Sequence, residues 1–172
     1  MRLVLEDALS EEDIKTLLPR GIEKMQARPT RHYTTGGDFD FQSNPVIKRI
    51  SQKIARHVPV KLRSPSKWYV ECRPDGHGPH YDGCRPRPED GAALGPNHMS
   101  WCQYSAVSLL TDPASFSGGE FSFHDPDEVH KDDLRGSLVI YSSGITNDPQ
   151  KHSAAPHEAG IRMMLLMFFA TE

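Results

Sequence analysis

His80 and Asp82 stand two positions apart in Gly78-Pro79-His80-Tyr81-Asp82, and far downstream His152 is followed ten positions later by Arg162. On an extended strand, residues i and i+2 face the same side. An imidazole and a carboxylate at this spacing can therefore hold one metal ion together. A second imidazole brought in from a distant strand, His152, completes a two-histidine, one-carboxylate face, the donor set that suits Fe(II) and leaves three positions open. Three protein ligands with vacancies beside them are a catalytic arrangement rather than a structural one. His-x-Asp also arises by chance in a chain with nine histidines, so its weight comes from the ordered groups that follow it.

Arg162 opens an otherwise apolar strand on which Met164, Leu166 and Phe168 share its face. Burying its charge is costly without an anion. Either a buried Asp or Glu pairs with it, or its planar fork grips a small carboxylate bidentately. His157 is a rival ligand five residues after His152, but His152 leaves room for a turn before the strand of Arg162. His98, His124 and His130 lie in turn-rich text and read as surface or supporting residues. His77, three before His80, could face the same cavity.

The elements that must position these groups change in character along the chain. Ser10-Glu11-Glu12-Asp13 resembles a capping box with an acidic first turn, and Ile14, Leu17, Leu18, Ile22 and Met25 follow at helical spacing. Residues 29–43 are polar and turn-rich around Gly36-Gly37-Asp38. A second helix opens at Asn44-Pro45, with Asn as cap and Pro in the first turn. Its apolar stripe is Val46, Ile50 and Ile54, and it ends before Pro59. From about residue 66 the text becomes short strands and Gly/Pro turns. Strands are expected at 68–72, 101–110, 120–123, 138–141 and 161–169, with turns at Pro74-Asp75-Gly76 and Ser117-Gly118-Gly119. Strands that are not interleaved with helices predict a sandwich or barrel. Residues 83–98, which include Arg85, Arg87, Glu89 and Asp90, are too long for a simple connector. They read equally as a lid over the substrate or as a surface excursion.

At 172 residues and a formal charge of −3, the chain is long enough for one domain with a substantial core. Its mild charge argues against a nucleic-acid or acidic-membrane partner. Cys72, Cys84 and Cys102 form no C-x-x-C pair and are odd in number, which speaks against a zinc knuckle or a disulfide framework. There is no signal-peptide core and no run of about 20 apolar residues, so a soluble, cytoplasmic protein is expected.

The run from Trp68 to Phe169 resembles the 2-oxoglutarate and Fe(II)-dependent oxygenases, in particular the prolyl 4-hydroxylase-like branch. Cys72-Arg73-Pro74-Asp75-Gly76-His77-Gly78-Pro79-His80-Tyr81-Asp82 is similar to that family's strand, Pro/Gly turn and His-x-Asp. Ser105-Ala106-Val107-Ser108-Leu109-Leu110, Gly118-Gly119-Glu120-Phe121, Gly136-Ser137-Leu138-Val139-Ile140-Tyr141, His152 and Arg162 then follow in the family's order. Leu5-Glu6-Asp7-Ala8-Leu9-Ser10-Glu11-Glu12 resembles its opening strand and first helix. The chain departs from the family at two places. The tyrosine often found before the Pro/Gly turn, which hydrogen-bonds the cosubstrate, falls at Cys72, and the aromatic six residues past the arginine is Phe168.

This resemblance implies one domain, mainly β with N-terminal helices. That domain is a double-stranded β-helix, or jelly roll, over residues 66–172, with residues 1–60 as helical support packed on one sheet. It implies Fe(II) on His80, Asp82 and His152 as the catalytic centre, with 2-oxoglutarate held by Arg162 and contacted by Ser105. O2 is the oxidant, and ascorbate an accessory reductant. The activity implied is hydroxylation of a C–H bond with release of succinate and CO2, the substrate being a peptidyl residue such as proline or an amino-acid-like small molecule. Halogenating relatives lack the carboxylate that Asp82 supplies. The alternative is a cupin-like metal-binding jelly roll that takes a small acid or sugar without 2-oxoglutarate. Cupins usually carry His-x-His and a later Glu, which this chain lacks.

Overall fold

The computed structural model describes residues 1–27, 33–34, 44–63, 65, 67–88 and 93–172. Three sequence expectations lie outside the described residues: the side chain of Met25, the turn at Gly36-Gly37-Asp38, and Glu89 with Asp90. Strand β1 (Arg2–Leu5) leads into helix α1 (Glu11–Ala27), strand β2 (Tyr33–Thr34) and helix α2 (Pro45–Ala55). The chain then runs through β3 (Lys67–Cys72), β4 (His77–His80), β5 (Cys84–Pro86), β6 (Leu94–Pro96) and β7 (Tyr104–Leu109). It continues as β8 (Ser117–Gly118), β9 (Phe121–His124), β10 (Asp127–His130), β11 (Leu138–Ser142), β12 (His152–Ala154), β13 (His157–Ala159) and β14 (Met164–Phe169).

Both helix starts are built from side chains that satisfy the free backbone N–H groups of a first turn. The Ser10 hydroxyl accepts from the Asp13 amide at 3.2 Å, and the Asp13 carboxylate accepts in return from the Ser10 amide at 2.9 Å. Asn44 Oδ1 accepts from Val46 N and Ile47 N at 3.1 and 3.2 Å, with Pro45 at the first helical position. Asp13 also pairs with Arg49, which ties the two helices together.

A six-stranded sheet in the order β1-β11-β7-β14-β3-β2 faces a four-stranded sheet in the order β10-β9-β12-β4, and every pairing in both is antiparallel. This is the jelly-roll arrangement. The large sheet has a core on each face, because alternate residues of a strand point to opposite sides. Ala106, Leu138, Ile140, Leu165, Met167 and Phe169 meet Ile14, Leu17, Ile47, Ile50 and Ile54 of the helices. Val107, Leu109, Val139, Tyr141 and Met164 meet Phe121 and Phe123 of the small sheet. β7 is buried along its whole length for this reason.

Several elements differ from the sequence reading. Residues 1–60 supply, beside the opening strand and the helices, the strand β2, and β1 and β2 form the two edges of the large sheet. Ser117-Gly118, expected as a turn, pairs as β8 with β13. Within 83–98 the chain folds back on itself as a short antiparallel hairpin, β5 on β6. β10, hydrogen-bonded to β9, was not expected as a strand.

Candidate metal centre and cosubstrate cavity

β3 alternates cleanly. Trp68, Val70 and Cys72 enter the helix-side core, while Tyr69, Glu71 and Arg73 line a cavity of about 450 Å³ between the sheets. The position taken for the family's tyrosine therefore does not reach the cavity. Cys72 faces the core, and the polar groups offered to a ligand here are Tyr69 and Glu71 of the strand and Arg73 just past its end. Beyond β3 the chain reverses through Gly76 at φ +68°, where an added Cβ would lie 2.4 Å from the Ala154 carbonyl. Only glycine allows the turn to press so closely on β12.

That turn sets β4 against β12 with His80 directly opposite His152. Their rings lie 4.3 Å apart between centroids. Asp82 is two residues past the end of β4, in a bend rather than on the strand. Its position is fixed from behind by Gly83, whose absent side chain lets the backbone approach the carbonyls of Ser143 and Cys102. A Cβ there would meet them at 2.5 and 2.6 Å. Asn97 adds a clamp by donating to the carbonyls of Asp82 and Cys84 at 2.8 and 3.0 Å. The base of the β5–β6 hairpin is thus tied to the backbone of the site.

One ligand atom from each of His80, Asp82 and His152 lies within 4.8 Å of the others. Asp82 Oδ1 is 3.5 Å from Nε2 of both histidines. The far ring nitrogens face carbonyls, His80 Nδ1 to Gly78 O at 2.9 Å and His152 Nδ1 to Gln150 O at 3.0 Å. A carbonyl can only accept, so both Nδ1 atoms carry the proton and both Nε2 lone pairs are left for an ion. Backbone support of this kind orients metal-binding imidazoles. Burial would raise the Asp82 carboxyl, but the charge and hydrogen bonds of His152, with those of His80 and Ser105, hold it well below the usual carboxylate range. His152 is buried, which opposes its charging, yet the Asp82 carboxylate leaves its imidazole raised. Two imidazoles with free Nε2 atoms around one ionised carboxylate oxygen fit Fe(II) by donor type and number.

Aromatic rings wall the site. Tyr141 lies 4.8 Å and Phe121 5.4 Å from the His152 ring. His77 stacks on His80 at 3.7 Å and lines the cavity. His98, at the mouth of the β5–β6 hairpin, lines the cavity as well, whereas three others fall elsewhere. His157 is buried with Nε2 3.9 Å from Cys72 Sγ, away from the triad. His124 bonds Ser153 at 2.8 Å. His130 is buried between Glu128 and Asp133 rather than on the surface.

Arg162 lies at the other end of the cavity, on the wall formed with Met164, Leu166 and Phe168. Only 4% of it is exposed. Its stem crosses Gly119, at φ +78°, where a Cβ would stand 2.4 Å from Arg162 Cδ. Among the described residues no side-chain hydrogen bond or ion pair reaches its guanidinium. Burial pushes it down to about 10, with Cys72, Glu71 and Glu120 opposing the shift. Of the two readings of this arginine, a structural ion pair has no partner here.

Ser105 is fully buried, and its hydroxyl turns onto Asp82 Oδ2 at 2.6 Å rather than onto the cavity wall. Expected at the cosubstrate, Ser105 is not among the residues that line the cavity, and its contact is with the Asp82 carboxylate. Tyr141, which the sequence offered only as a strand residue, donates to the same oxygen at 3.0 Å. Its signal was faint: a buried tyrosine hydroxyl needs a partner. All three cysteines are buried and free. Burial, reinforced by the Asp82 charge, pushes the thiols of Cys84 and Cys102 up to about 11 and about 12.

No protein-family model and no curated protein sequence matches the chain. Solved structures do match its fold. A viral collagen prolyl hydroxylase from Paramecium bursaria Chlorella virus-1, in complex with 2OG, superposes with a TM-score of 0.72 at 16% identity, over 99% of this chain and 96% of that one. A prolyl-4-hydroxylase from Pseudomonas putida gives 0.66 at 15% identity, over 99% and 92%. A Trichoplax adhaerens prolyl hydroxylase, in complex with a hypoxia inducible factor oxygen degradation domain peptide fragment, gives 0.67 at 14%, over 99% and 83%. The chain has the fold of these hydroxylases along essentially its whole length.

Proposed function

We propose that this protein is a 2-oxoglutarate- and Fe(II)-dependent dioxygenase that hydroxylates a C–H bond of a peptidyl residue. The observation that carries the reading is a single cavity with the His80, Asp82 and His152 donors at one end and, at the other, a buried guanidinium without a side-chain ion pair among the described residues. His80 and His152 would hold Fe(II) through Nε2, and Asp82 through Oδ1. When bound, the metal with 2-oxoglutarate and O2 supplies the oxidation, inserting one oxygen atom into the substrate as succinate and CO2 leave. Arg162 would grip the distal carboxylate of 2-oxoglutarate with two parallel N–H donors. Val107, Met164, Leu166 and Phe168 line the space between these ends and exclude water from it. In a dry cavity each charge-assisted contact is stronger than in bulk solvent.

A peptide is favoured by a second groove that shares His80, Tyr81, Asn97 and His98 with the cavity and continues over Pro79, Arg85, Pro86 and Pro96 of the hairpin. A chain whose reacting residue enters the cavity has a path along which its neighbours can lie. The cupin-like alternative would use Arg162 for another small acid, and turnover of 2-oxoglutarate to succinate separates the two.

Anaerobic addition of Fe(II) and 2-oxoglutarate should produce the weak visible charge-transfer band of a chelated keto acid. Aerobic incubation with proline-containing peptides and with free amino acids, followed by mass spectrometry, should show a gain of one oxygen on a peptide, matched by succinate. Absence of the band together with absence of succinate across the panel would overturn the reading. Oxygen gained only by free amino acids would overturn the peptide assignment alone.

A further inference from the structure

The two oxygens of Asp82 meet different surroundings. Oδ1 faces the Nε2 atoms of His80 and His152, each at 3.5 Å. Oδ2 turns away from them and accepts from Ser105 Oγ at 2.6 Å and Tyr141 OH at 3.0 Å. We infer that Ser105 and Tyr141 are positioning residues of the metal centre, holding Oδ2 back so that Asp82 binds the ion through Oδ1 alone. The inference rests on the metal reading proposed above.

The direction of each hydrogen bond follows from the donor count. An ionised carboxylate only accepts, so both hydroxyl protons are committed to Oδ2. Ser105 has one proton and has given it to Asp82. The 2.7 Å contact between Ser105 Oγ and Ser143 Oγ must therefore run from Ser143 to Ser105. The result is a directed chain, Ser143 to Ser105 to Asp82, joined at Oδ2 by Tyr141. Tyr141 also approaches His152 Nε2 at 3.3 Å, but with its proton engaged it leaves that nitrogen's lone pair for the metal. Ser105, Tyr141 and Ser143 are 0%, 1% and 1% exposed, so bulk solvent does not compete for these hydrogen bonds. Gly83, seated on the carbonyls of Ser143 and Cys102, keeps the backbone from following a carboxylate that tries to turn.

The arrangement bears on how many positions stay open. A carboxylate free to swing can chelate through both oxygens and take a fourth position on the ion. A keto acid that needs two positions and dioxygen that needs one require three of six. Two hydroxyl donors on Oδ2 preserve that number.

Co(II) in place of Fe(II) gives a redox-stable probe. Wild-type, Ser105→Ala, Tyr141→Phe, Ser143→Ala and Ser105→Thr proteins would be titrated with Co(II). Affinity and the visible ligand-field spectrum would be read with and without 2-oxoglutarate, and circular dichroism would verify the fold. Loss of a group that orients a ligand typically weakens metal binding by about 10- to 100-fold. That loss is expected for Ser105→Ala and for Tyr141→Phe, with an altered Co(II) spectrum and a smaller spectral response to 2-oxoglutarate. Ser143→Ala should have a smaller effect, and Ser105→Thr should recover the wild-type spectrum. Tyr141→Phe removes a single oxygen atom and keeps the test available if Ser105→Ala does not fold. Folded variants with wild-type affinity and spectrum would overturn the inference while leaving the metal reading intact. Wild-type protein that takes up no Co(II) would overturn both.

Discussion

Arg162 is a cation held out of water with no side-chain ion pair among the described residues, Glu71 and Glu120 offsetting its burial only in part, and this has a sign that can be measured. Its folded pKa lies below that of the free group, so the charged form is better accommodated in the unfolded chain. The residue therefore weakens the ligand-free fold wherever it is charged, and stops doing so only as pH rises through about 10. Replacing a buried charge by an apolar side chain of similar length is often neutral or stabilising by about 1–4 kcal/mol. We expect Arg162→Met to match or exceed wild type in thermal stability without ligand. Wild type should gain about 2.7 kcal/mol at a 2-oxoglutarate concentration one hundred times its Kd, and the variant should gain clearly less at the same concentration. Calorimetry with and without the keto acid, both with Co(II) present, checks this, and a variant that gains as much as wild type would remove Arg162 from the anion site. At this scale the chain was legible where a residue type is costly, as a guanidinium on an apolar strand is. Ser105 and Tyr141 were not legible as partners of Asp82, because a hydroxyl in a strand fits many roles and its partner here is 23 or 59 residues away.

Short turns place these side chains, and turns carry the element-scale prediction. Gly118 and Gly119, at φ +71° and +78°, make the corner over which the Arg162 stem passes. A methyl group at 119 is doubly penalised, by the left-handed backbone and by Arg162 Cδ at 2.4 Å. Gly119→Ala should displace the guanidinium and forfeit a charge-assisted contact of about 1.5–3 kcal/mol. That corresponds to a rise of about 10- to 100-fold in the Kd for 2-oxoglutarate, with Co(II) affinity unchanged. Isothermal titration separates the two quantities; equal losses in both would mean that the turn supports the metal centre instead. The same scale shows where sequence patterns fail. β3 followed strict alternation, so the error at Cys72 was one of register: a shift of one position exchanges core for cavity. β10 and the β5–β6 hairpin were missed for another reason. Asp-Glu-Val-His offers one apolar residue, Val129, and that residue is 65% exposed. Cys-Arg-Pro and Leu-Gly-Pro are three residues each and rich in strand breakers.

At the scale of the whole molecule, the large sheet separates two cores with different duties. The helix-side core holds the fold, and the core between the sheets also walls the site. Ile50, fully buried on the inner face of α2, belongs to the first. Ile50→Ala should cost about 2–5 kcal/mol and leave Co(II) affinity unchanged when measured well below the melting transition. Phe121, 5.4 Å from the His152 ring, belongs to the second, and Phe121→Ala should lower stability and Co(II) affinity together. Paired denaturation and titration curves test this, and a metal defect in Ile50→Ala would mean that the two cores are not separable. The helices-then-strands order made a sandwich or barrel legible, because runs of short strands without interleaved helices have few other solutions, and the resemblance of the motifs to the oxygenases narrowed it to a jelly roll. The two edge strands β1 and β2 lie apart in sequence from the strands they pair with, and local pattern carries no record of such pairing.

The buried thiols have a consequence for survival in use. Oxidative damage to cysteine begins at the exposed thiolate, and a catalyst that handles iron with dioxygen endangers any such group near it. Cys84 and Cys102 stand beside Asp82 yet remain protonated, raised to about 11 and about 12. Iodoacetamide at pH 8 should leave the native protein unlabelled and modify all three cysteines once it is denatured. On the proposed function, the chain would carry sulfur close to its metal site in a form that idle turnover cannot readily corrode.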